Sequence, residues 1–373
     1  MTTILRLASY PTLEESGRGL HCYEISKTDK TKVIYLTWFK TKCSPLKIPK
    51  NVTLYVRKFY TIANPKKSNF INRFIFNMYR IFRVFTFSIN GIYILFKHKV
   101  DVVHIHSPMF IIVSIFGYFL RKKNYITFHG EDFFNIKNAW WYSKLSSCFD
   151  CVFSISPRYI AKLKKIHTNA DIIQIYNGID TNIYKNLKLN RSKQILAVAN
   201  FKKQKGLDTL IKGFNQLIKS NVNSNNYKLV IAGKGILFEE ITRMIKSMKL
   251  EEKVFLVGQK NRLEIIDLYN RSEIFILSSI WEGFAKVLVE AMACGCKVIS
   301  TRVDSAPLVL EDWGYMINHS DQNEVCTSLQ KIINDKCYPF NSQEKVLKKF
   351  TWNNVRNIYQ KTIENNKSGS FEL

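Results

Sequence analysis

Residues 273–300 have the sequence "EIFILSSIWEGFAKVLVEAMACGCKVIS", and this stretch predicts the fold of the chain. The run "EIFILSS" is typical of a buried strand, "IWEGF" of a turn, "AKVLVEAMAC" of a helix, and "KVIS" of the next strand. Strand, helix and strand in succession form the unit of a parallel α/β sheet. The turn therefore lies at the carboxyl end of a strand, where open sheets of this class bind their ligands.

Short apolar runs alternate with helical stretches along all 373 residues. The pattern and the length predict an α/β protein with two doubly wound, Rossmann-like parallel-sheet domains that face a central cleft. We expect an N-terminal domain at residues 1–182 and a C-terminal domain at residues 193–349. The polar stretch "DTNIYKNLKLNRSKQ" is interpreted as the connection between them. A terminal helix at residues 350–366 is expected to pack back towards the first domain.

The chain carries 56 lysines and arginines against 29 acidic residues, a formal net charge of +27. Fifteen of the basic residues, and no acidic residue, fall between Lys30 and Val100. Such a balance indicates an anionic partner: nucleic acid, an acidic membrane surface or a phosphorylated substrate. No recognition-helix, zinc-finger or aromatic ribonucleoprotein motif is present, so a basic nucleic-acid-binding protein remains only as an alternative.

The eight cysteines form no recognisable disulfide framework, which favours a reducing compartment. Cys148 and Cys151 are the one metal-like pair, and no second pair lies nearby to complete a site. We therefore expect both thiols to be buried and structural. The opening "MTTILRLASYPT" predicts a short strand rather than a secretory signal. These features together predict a cytoplasmic protein.

The longest apolar region, Phe70 to Phe96, contains Arg73, Arg80 and Arg83. Each arginine would cost about 2.5–3.5 kcal/mol at the centre of a bilayer, which argues against a spanning helix. Arginines mixed with phenylalanines and tyrosines suit an amphipathic helix at an anionic lipid surface. The alternative is a core helix with a solvated basic edge.

The quoted stretch also predicts a ligand site. Free N–H groups at Phe284, Ala285 and Lys286 would form a helix amino terminus suited to a phosphate. Glu282 and Glu290 flank this backbone, and their carboxylates would accept hydrogen bonds from sugar hydroxyls. A sugar diphosphate fits such an arrangement. The alternative is that Glu282 is a helix-start acid favoured by the dipole, and Glu290 a solvated helix residue.

Six blocks of the chain, in order and spacing, resemble the metal-independent, retaining glycosyltransferases of family 4, which have the two-domain GT-B fold. The blocks are "ITFHGED", "YNGIDTNIY", "NFKKQKGLDTLIKGF", "KLVIAGKG", "KVFLVGQ" and "SSIWEGFAKVLVEAMACGCKVIST". The resemblance extends over nearly the whole chain. It implies an enzyme of the hexosyltransferase type that uses a nucleotide diphosphate sugar and needs no metal or other cofactor.

The resemblance implies roles for the second half of the chain. Glu290 would hold the nucleotide ribose, Glu282 would act in catalysis by contacting hydroxyls of the donor sugar, and Lys205 would neutralise the donor diphosphate. Asn200 stands where the family has an arginine, and Lys202 or Lys203 could replace it. The remaining donor-binding positions are Gly258 beside the nucleobase and the loop residues Gly283, Phe284, Ala285, Lys286 and Val287.

Further residues of this region depart from the family pattern. Ala285 stands where glycine or proline is usual and Lys286 where a neutral residue is usual, which implies a reshaped donor-sugar pocket. Lys286 could reach the sugar or a phosphate. Further on, "RVDSAPLVL" has Ala306, Pro307 and Leu308 where the family commonly has glycine, proline and glutamate, so this loop either binds differently or simply packs.

In the first half, Gly17 and Gly19 are expected in the loop between the first strand and first helix, where glycine lets backbone approach a pyrophosphate. The resemblance implies that His129 is catalytic and contacts the donor sugar near the reacting carbon. It also suggests that Glu131 and Asp132 orient the acceptor. His104 and His106 alternate on a predicted strand, and at least one of them is expected in the core.

The resulting hypothesis is a retaining transferase that moves a hexose or N-acetylhexosamine, most simply from UDP, to a saccharide acceptor. The basic aromatic region suggests a lipid-linked acceptor, an anionic membrane surface at the inner face of the cytoplasmic membrane, and synthesis of cell-surface polysaccharide such as lipopolysaccharide O-antigen or capsule. A sugar-nucleotide epimerase with the same fold is an alternative. An NAD-dependent enzyme is disfavoured because "SGRGLHC" lacks the third glycine of its fingerprint.

Overall fold

The structure is a computed structural model that describes residues 1–8, 17–28, 30–39, 47–58, 70–136, 140–220, 226–318, 321–335 and 342–368. The chain forms two compact units. Unit 1 comprises Met1–Asn177 with Val355–Leu373, and unit 2 comprises Gly178–Asn354.

The first boundary lies a few residues before the position expected from the polar composition of the connection. The reason is pairing: Ile179 bridges in parallel to Thr351, and its N–H donates to the Phe350 carbonyl at 2.9 Å. A Cβ on Gly178 would meet the Trp352 backbone nitrogen at 2.6 Å, so glycine permits this close approach. These contacts place the start of the predicted connection inside unit 2.

Unit 1 is built on a seven-stranded parallel sheet in the order β3-β2-β1-β4-β5-β6-β7. The strands are β1 Thr2–Leu7, β2 Thr31–Phe39, β3 Val52–Lys58, β4 Val102–Ile105, β5 Lys123–Phe128, β6 Cys151–Ser154 and β7 Asp171–Gln174. The helices are α1 Gly17–Glu24, α2 Phe70–Lys97, α3 Ile111–Phe119, α4 Glu131–Ile136, α5 Trp140–Leu145, α6 Ile160–Ile166 and α14 Trp352–Ser368.

Unit 2 is built on a six-stranded parallel sheet in the order β10-β9-β8-β11-β12-β13. Its strands are β8 Ser192–Val198, β9 Lys228–Ala232, β10 Val254–Gly258, β11 Ser272–Leu277, β12 Lys297–Thr301 and β13 Tyr315–Ile317. Its helices are α7 Leu207–Ser220, α8 Phe238–Ser247, α9 Arg262–Arg271, α10 Lys286–Ala293, α11 Ala306–Leu310, α12 Gln322–Asn334 and α13 Ser342–Lys349.

In both sheets the strand order reverses beside the first strand of the unit, between β1 and β4 and between β8 and β11. This arrangement confirms the predicted doubly wound α/β architecture. The reversal leaves a crevice at the carboxyl ends of the two strands, because their connections run to opposite faces of the sheet. Each unit therefore has a defined position for a ligand site.

The central strands are buried along nearly their whole length, as expected for parallel strands covered on both faces. Arg6 is a charged residue that is nevertheless fully buried in β1. Its guanidinium donates to the Cys22 carbonyl at 3.1 Å, to the Tyr359 hydroxyl at 2.6 Å, and to the Ser26 hydroxyl. These partners engage its two terminal nitrogens, whereas its Nε has no hydrogen-bond partner among the described residues.

Two strands were not predicted, β3 and β13. Each lies at an edge of its sheet, where one side of the strand has no neighbour. In β3 exposed and half-buried residues are mixed, and β13 spans only Tyr315–Ile317. Neither segment has the continuous apolar run on which the prediction relied.

Ser156 does not cap a helix through its side chain. It precedes a single 3₁₀ turn, Pro157–Tyr159, and its hydroxyl makes no capping hydrogen bond. Cys148 and Cys151 are both buried free thiols, and burial raises the pKa of Cys148 to about 12. Among the described residues, no helix is long and apolar enough to cross a membrane.

Candidate active site

Two loops meet at the reversal point of unit 2. One follows β8 and contains the 3₁₀ turn Lys203–Lys205, and the other follows β11. Ile280 N–H donates to the Gln204 carbonyl at 2.7 Å, and Ser278 Oγ donates to the Lys205 carbonyl at 2.8 Å. Gly206 has φ +58°, and a Cβ there would lie 2.3 Å from the Ser278 carbonyl oxygen. Glycine is therefore required for the loops to approach this closely.

The two loops bring Lys205 and Glu282 together. Lys205 Nζ forms an ion pair with Glu282 Oε1, and the side chains are only 17% and 13% exposed. Ser279 Oγ donates to the same carboxylate oxygen at 2.7 Å. Glu282 is thus held by a lysine rather than by a helix dipole alone, which does not fit the alternative of a simple helix-start acid.

The amino terminus of α10 differs from the prediction. Ala285 N–H donates to Ser305 Oγ at 2.9 Å, and Lys286 N–H donates to the Phe284 carbonyl at 2.8 Å. The prediction of free N–H groups at these two positions is wrong, because a hydroxyl from the loop before α11 and the preceding turn occupy them. Phe284 is buried, and its ring centroid lies 6.0 Å from that of Phe350.

Ser305 belongs to the segment "RVDSAPLVL" that departs from the family pattern. Its side chain is fully buried, and it directly precedes α11, which begins at Ala306. Pro307 occupies the first turn of this helix, and Leu308 follows within it. The segment therefore packs beneath the start of α10, which agrees with the expectation that this loop has a packing role.

Glu290 lies on α10 with a residue exposure of only 5%. Lys286 Nζ is 3.0 Å from Glu290 Oε1, and the Tyr269 hydroxyl donates to Glu290 Oε2 at 3.3 Å. The Tyr184 hydroxyl is a further hydrogen-bond partner. The interpretation of Glu290 as a solvated helix residue is therefore wrong, because three side chains surround a nearly buried carboxylate.

Burial and the Glu290 charge shift two phenols. Burial raises the pKa of Tyr184, and the neighbouring Glu290 carboxylate raises it further. The pKa of Tyr269 is raised by burial and then by Glu290. The Arg262 guanidinium carbon lies 5.3 Å from the centroid of the Tyr184 ring. Both phenols are therefore neutral hydrogen-bond donors to the carboxylate at physiological pH.

The other predicted donor residues surround the same edge of unit 2. Gly258 ends β10 with φ +72°, and a Cβ there would meet no atom within 4 Å. Its backbone thus borders open space, and only its positive φ requires glycine. Asn200 and Lys202 are exposed beyond β8, whereas Gly283 and Val287 are half-buried around the start of α10.

In unit 1, His129 follows β5 and is half-buried. Its Nε2 lies 3.1 Å from His106 Nδ1, and its N–H donates to Asp132 Oδ2 at 3.0 Å. Asp132 is itself buried, and its Oδ1 pairs with Arg18 Nη2 at 2.9 Å. Asp132 therefore positions His129 and Arg18 instead of lying open to an acceptor. The side chain of Glu131 lies outside the described part of the structure.

Gly17 and Gly19 lie in the first turn of α1, not in the loop that was predicted for them. The helix begins early because the segment from Gly17 onward carries the apolar residues that pack on the sheet, including the buried Cys22. This start places Arg18 in the first turn, where it reaches Asp132. The preceding residues, 9–16, lie outside the described part of the chain.

Four histidines form a contiguous group in unit 1. The ring of His129 meets that of His21 edge-on, with the ring centroids 5.3 Å apart. The ring centroids of His104 and His106 are 4.2 Å apart. Burial lowers the pKa of His21 to about 3. It lowers those of the other three well below their usual value, and nearby cationic and imidazole groups lower them further. All four rings are therefore neutral at physiological pH.

His104 is the histidine that belongs to the core. Its Nδ1 lies 2.8 Å from the Tyr359 hydroxyl, and its Nε2 lies 2.8 Å from Thr127 Oγ1. Tyr359 is on α14, which joins unit 1 after the chain has passed through unit 2. The terminal helix thus contributes a buried hydroxyl to the histidine group.

Several site residues had not been predicted. They are Arg18, His21, Tyr184, Tyr269, Ser279 and Ser305. Arg18 and His21 could have been noticed beside the glycines of "SGRGLHC", and Ser279 is three residues before Glu282. Tyr184, Tyr269 and Ser305 carry no local pattern, because only the fold brings them to α10.

Comparisons with known proteins identify the family to which the chain belongs. A family model described as "Glycosyl transferases group 1" matches residues 179–350, and one described as "Glycosyltransferase Family 4" matches residues 51–183. The chain is thus a glycosyltransferase with the GT-B fold. It belongs to glycosyltransferase family 4.

Two curated relatives illustrate the range of similarity. The chain is 26% identical over 306 residues to N-acetyl-alpha-D-glucosaminyl L-malate synthase of Bacillus anthracis, covering 73% of this chain and 78% of that protein. It is 31% identical over 168 residues to N-acetylgalactosamine-N,N'-diacetylbacillosaminyl-diphospho-undecaprenol 4-alpha-N-acetylgalactosaminyltransferase of Campylobacter jejuni, covering 43% and 44%. Both are glycosyltransferases by name, and the present chain is likewise a transferase of class EC 2.4.

Solved structures share the fold across the whole chain. Sucrose-phosphate synthase from Thermosynechococcus elongatus has a TM-score of 0.75 at 17% identity, covering 99% of this chain and all of that one. Anabaena HepE in complex with UDP and glucose has a TM-score of 0.71 at 16% identity, covering 98% and 100%. Identities this low support the fold and not the substrates.

Proposed function

We propose that this enzyme is a retaining, metal-independent transferase that moves a hexose or N-acetylhexosamine from a UDP-sugar to a lipid-linked saccharide. The observation that carries the proposal is the Lys205–Glu282 pair at the reversal point of unit 2. The lysine offers a cation to a diphosphate, and the adjacent carboxylate offers a hydrogen-bond acceptor to sugar hydroxyls. Because the two groups are in contact, one donor molecule can reach both.

Lys205 acts on the leaving group. When the bond between the anomeric carbon and the diphosphate oxygen breaks, negative charge accumulates on the departing UDP, and the ammonium group stabilises it. Glu282, already oriented by Ser279 Oγ at 2.7 Å, accepts hydrogen bonds from the donor sugar and fixes the anomeric carbon. A lysine in this role supplies the positive charge that a divalent ion provides in other transferases.

Retention follows from reaction on one face of the sugar. The acceptor hydroxyl oxygen forms its bond to the anomeric carbon on the face from which the diphosphate leaves. Its proton passes to the departing phosphate oxygen, so the products are the glycoside and UDP. A protein nucleophile is unnecessary in this route, and His129 is proposed to contact the donor sugar near the reacting carbon.

Glu290 is proposed to hold the ribose. Its Oε1 is paired with Lys286 and its Oε2 accepts from Tyr269, so the carboxylate is fixed in one orientation. A carboxylate has about four lone-pair sites, so beside Lys286, Tyr269 and Tyr184 it has capacity for one ribose hydroxyl. Lys286 adds a cation on the diphosphate side of this carboxylate, and Gly258 leaves room for the base beside its backbone.

The choice of donor and acceptor draws on the relatives. The two curated relatives described above are named for transfer of N-acetylglucosamine or N-acetylgalactosamine, and one name contains a diphospho-undecaprenol acceptor. Several further relatives are named as phosphatidylinositol N-acetylglucosaminyltransferase subunits. These names favour an N-acetylhexosamine donor and a phosphate-bearing lipid acceptor for the present enzyme.

Helix α2 supports a lipid acceptor independently. Its first half is solvent-exposed, so the alternative of a core helix applies only from Phe87 onward. Exposed apolar side chains recur at helical spacing on one face. They are Ile71, Phe74, Ile75, Met78, Phe82, Phe85 and Ile89.

The exposed apolar residues of α2, together with Arg73, Arg80 and a neighbouring groove, form a surface that we call the α2 face. Arg73 and Arg80 are exposed on the same half of α2, but by helical spacing they project from the side opposite the apolar row. Met109 and Ile112 from the segment around α3 line a groove of about 420 Å³ with Arg80. A helix with an apolar face and arginines on its other side complements an anionic bilayer. We propose that the α2 face holds the enzyme at the inner face of the cytoplasmic membrane, for cell-surface polysaccharide synthesis.

The test is a donor screen. Purified enzyme is incubated with a panel of UDP-, GDP- and dTDP-sugars and with membrane extract, and the released nucleoside diphosphate is measured. We expect UDP release from a UDP-N-acetylhexosamine only when extract is present. Turnover without acceptor, or interconversion of the nucleotide sugar, would instead indicate a hydrolase or an epimerase and contradict the proposal.

A further inference from the structure

A second chemical feature of unit 1 lies beside His129. Cys22 on α1, His106 after β4 and His129 after β5 each present a ligand atom, and these three atoms lie within 4.8 Å of one another. Cys22 and His106 are buried, and His129 is half-buried. Three segments that are distant in sequence thus bring one thiol and two imidazoles together at the carboxyl edge of the sheet.

The backbone of each ligand residue is fixed. His106 N–H donates to the Leu7 carbonyl at 3.0 Å, and His129 N–H is held by Asp132. The Cys22 carbonyl accepts from Arg6 at 3.1 Å and from Ser26 Oγ at 2.6 Å. Only side-chain rotation therefore separates the present arrangement from a closed coordination site.

One polar atom in the group has its hydrogen-bonding capacity unused. His106 Nδ1 shares a hydrogen bond with His129, but His106 Nε2 is buried and has no hydrogen-bond partner among the described residues. Leaving such an atom unsatisfied costs about 1–3 kcal/mol. A ligand that engages this ring would recover part of that cost.

We propose that Cys22, His106 and His129 bind a thiophilic divalent cation, with Zn²⁺ the closest chemical match, and that its binding switches the transferase off. One sulfur and two nitrogens suit Zn²⁺, whereas Mg²⁺, Mn²⁺ and Ca²⁺ require oxygen ligands. Three protein ligands leave the fourth position to water. Inhibition by the bound cation rests on the proposed role of His129 at the donor sugar, whereas cation binding itself does not depend on that role.

The geometry requires a small adjustment. Zn–S bonds of about 2.3 Å and Zn–N bonds of about 2.0–2.1 Å place tetrahedral ligand atoms about 3.3–3.6 Å apart. The three ligand atoms now lie at most 4.8 Å apart. Side-chain rotations that move these atoms by about 1 Å therefore bring them to coordination distance. On binding, the Cys22 S–H bond is replaced by a sulfur–metal bond and the proton is released to solvent. The coordinated His129 ring can then no longer contact a donor sugar.

Binding is tested with Co²⁺ as a spectroscopic substitute for Zn²⁺, on tag-free protein. A thiolate-to-cobalt charge-transfer band is expected in the near ultraviolet, and added Zn²⁺ should remove it. Cys22→Ser should abolish the band, and His106→Gln should weaken Co²⁺ binding at least about tenfold, the effect of losing one ligand interaction. Cys326→Ser, which changes a half-exposed thiol on α12, should leave the band unchanged. Circular dichroism of each variant verifies folding.

Inhibition is tested separately, with each variant compared with its own metal-free activity. Zn²⁺ should lower UDP release by the wild-type enzyme at least about tenfold, chelation should restore it, and Cys22→Ser should resist Zn²⁺. No band, or an equal band in Cys22→Ser, would overturn the site. A band that behaves as expected, with Zn²⁺ inhibition unchanged in Cys22→Ser, would overturn the switch. If no donor turns over at all, the spectrum still decides the site.

Discussion

Lys286 Nζ lies 3.0 Å from Glu290 Oε1, one helical turn away on α10. The pair gives a positive partner to a carboxylate that is otherwise held by the phenols of Tyr184 and Tyr269. Lys286 therefore has a role in orienting Glu290, and its closeness to the start of α10 puts its charge near the proposed diphosphate.

We predict that Lys286→Met weakens donor binding. Loss of a hydrogen bond to a charged group costs about 1.5–3 kcal/mol when the site is buried, and the 28% exposure of Lys286 places its effect at the lower end. The donor KM should rise about tenfold, with kcat nearly unchanged. Lys286→Arg should retain most of the affinity. A large fall in kcat with an unchanged KM would contradict a binding role.

Lys205 should affect the chemical step more than binding. Lys205→Ala removes the cation that stabilises the leaving diphosphate, so kcat should fall about 10²–10³-fold. Lys212→Ala is the matched control, since Lys212 is an exposed lysine on α7 of the same unit. Steady-state kinetics of UDP release would measure both. Equal losses in the two variants would show that only general positive charge matters.

Membrane binding should depend on both charge and apolar surface. Arg73→Glu with Arg80→Glu should weaken binding to vesicles that contain anionic lipid at least tenfold, since each arginine contributes about 1 kcal/mol. Phe74→Ser with Phe82→Ser should weaken it even at high salt. Controls are Lys246→Glu on α8 and Ile236→Ser, which change a comparable charge and an exposed apolar residue in unit 2. Equal effects of the controls would contradict the α2 face as the contact.

Stability should fall below neutral pH because of the buried histidines of unit 1, among which His167 lies outside the histidine group of the candidate site. Burial lowers the pKa of His167 to about 4, from 6.5 in the unfolded chain. The unfolded state thus takes up a proton that the folded state does not, so this contribution is complete above pH 6.5 and is lost as the pH falls towards 4. The slope is about 1.4 kcal/mol per pH unit for one histidine.

His167→Gln should reduce the slope by this one histidine's share and leave that of the other buried histidines, because glutamine can hydrogen-bond to Tyr142, whose hydroxyl lies 3.3 Å from His167 Nε2, without titrating. Urea unfolding at several pH values between 7 and 4.5 would measure the difference. His98→Gln is the control, since His98 is a half-buried histidine beside Tyr55 in the same unit. The same pH dependence in wild type and His167→Gln would contradict the assignment.

The fold was predictable from the sequence because buried parallel strands are continuous apolar runs, as in β5 and β11. The edge strands β3 and β13 lack that signal, since only part of each strand is buried. The site was predictable only in part. Lys205 and Glu282 were both identified, but nothing local indicates that a residue 77 positions away supplies the partner.

The error at α10 has a similar origin. The pattern of a strand followed by a helix predicts free amides at the helix start, and it does not predict that the Ser305 hydroxyl from the next loop takes one of them. The histidine group of unit 1 was predictable only in part. One of His104 and His106 was expected in the core, but nothing local indicates that His104 is buried against Tyr359, which lies 255 residues further along the chain.

The most direct measurement is calorimetric titration of UDP into the wild-type enzyme, Glu290→Gln and Lys205→Ala, with Lys212→Ala, which changes an exposed lysine of α7, as control. We expect wild type and Lys212→Ala to bind UDP with similar affinity. We expect Glu290→Gln and Lys205→Ala each to lose at least about tenfold, the equivalent of one charged hydrogen bond. Equal UDP affinity in all four proteins, or no UDP binding by the wild type, would contradict the proposed donor site.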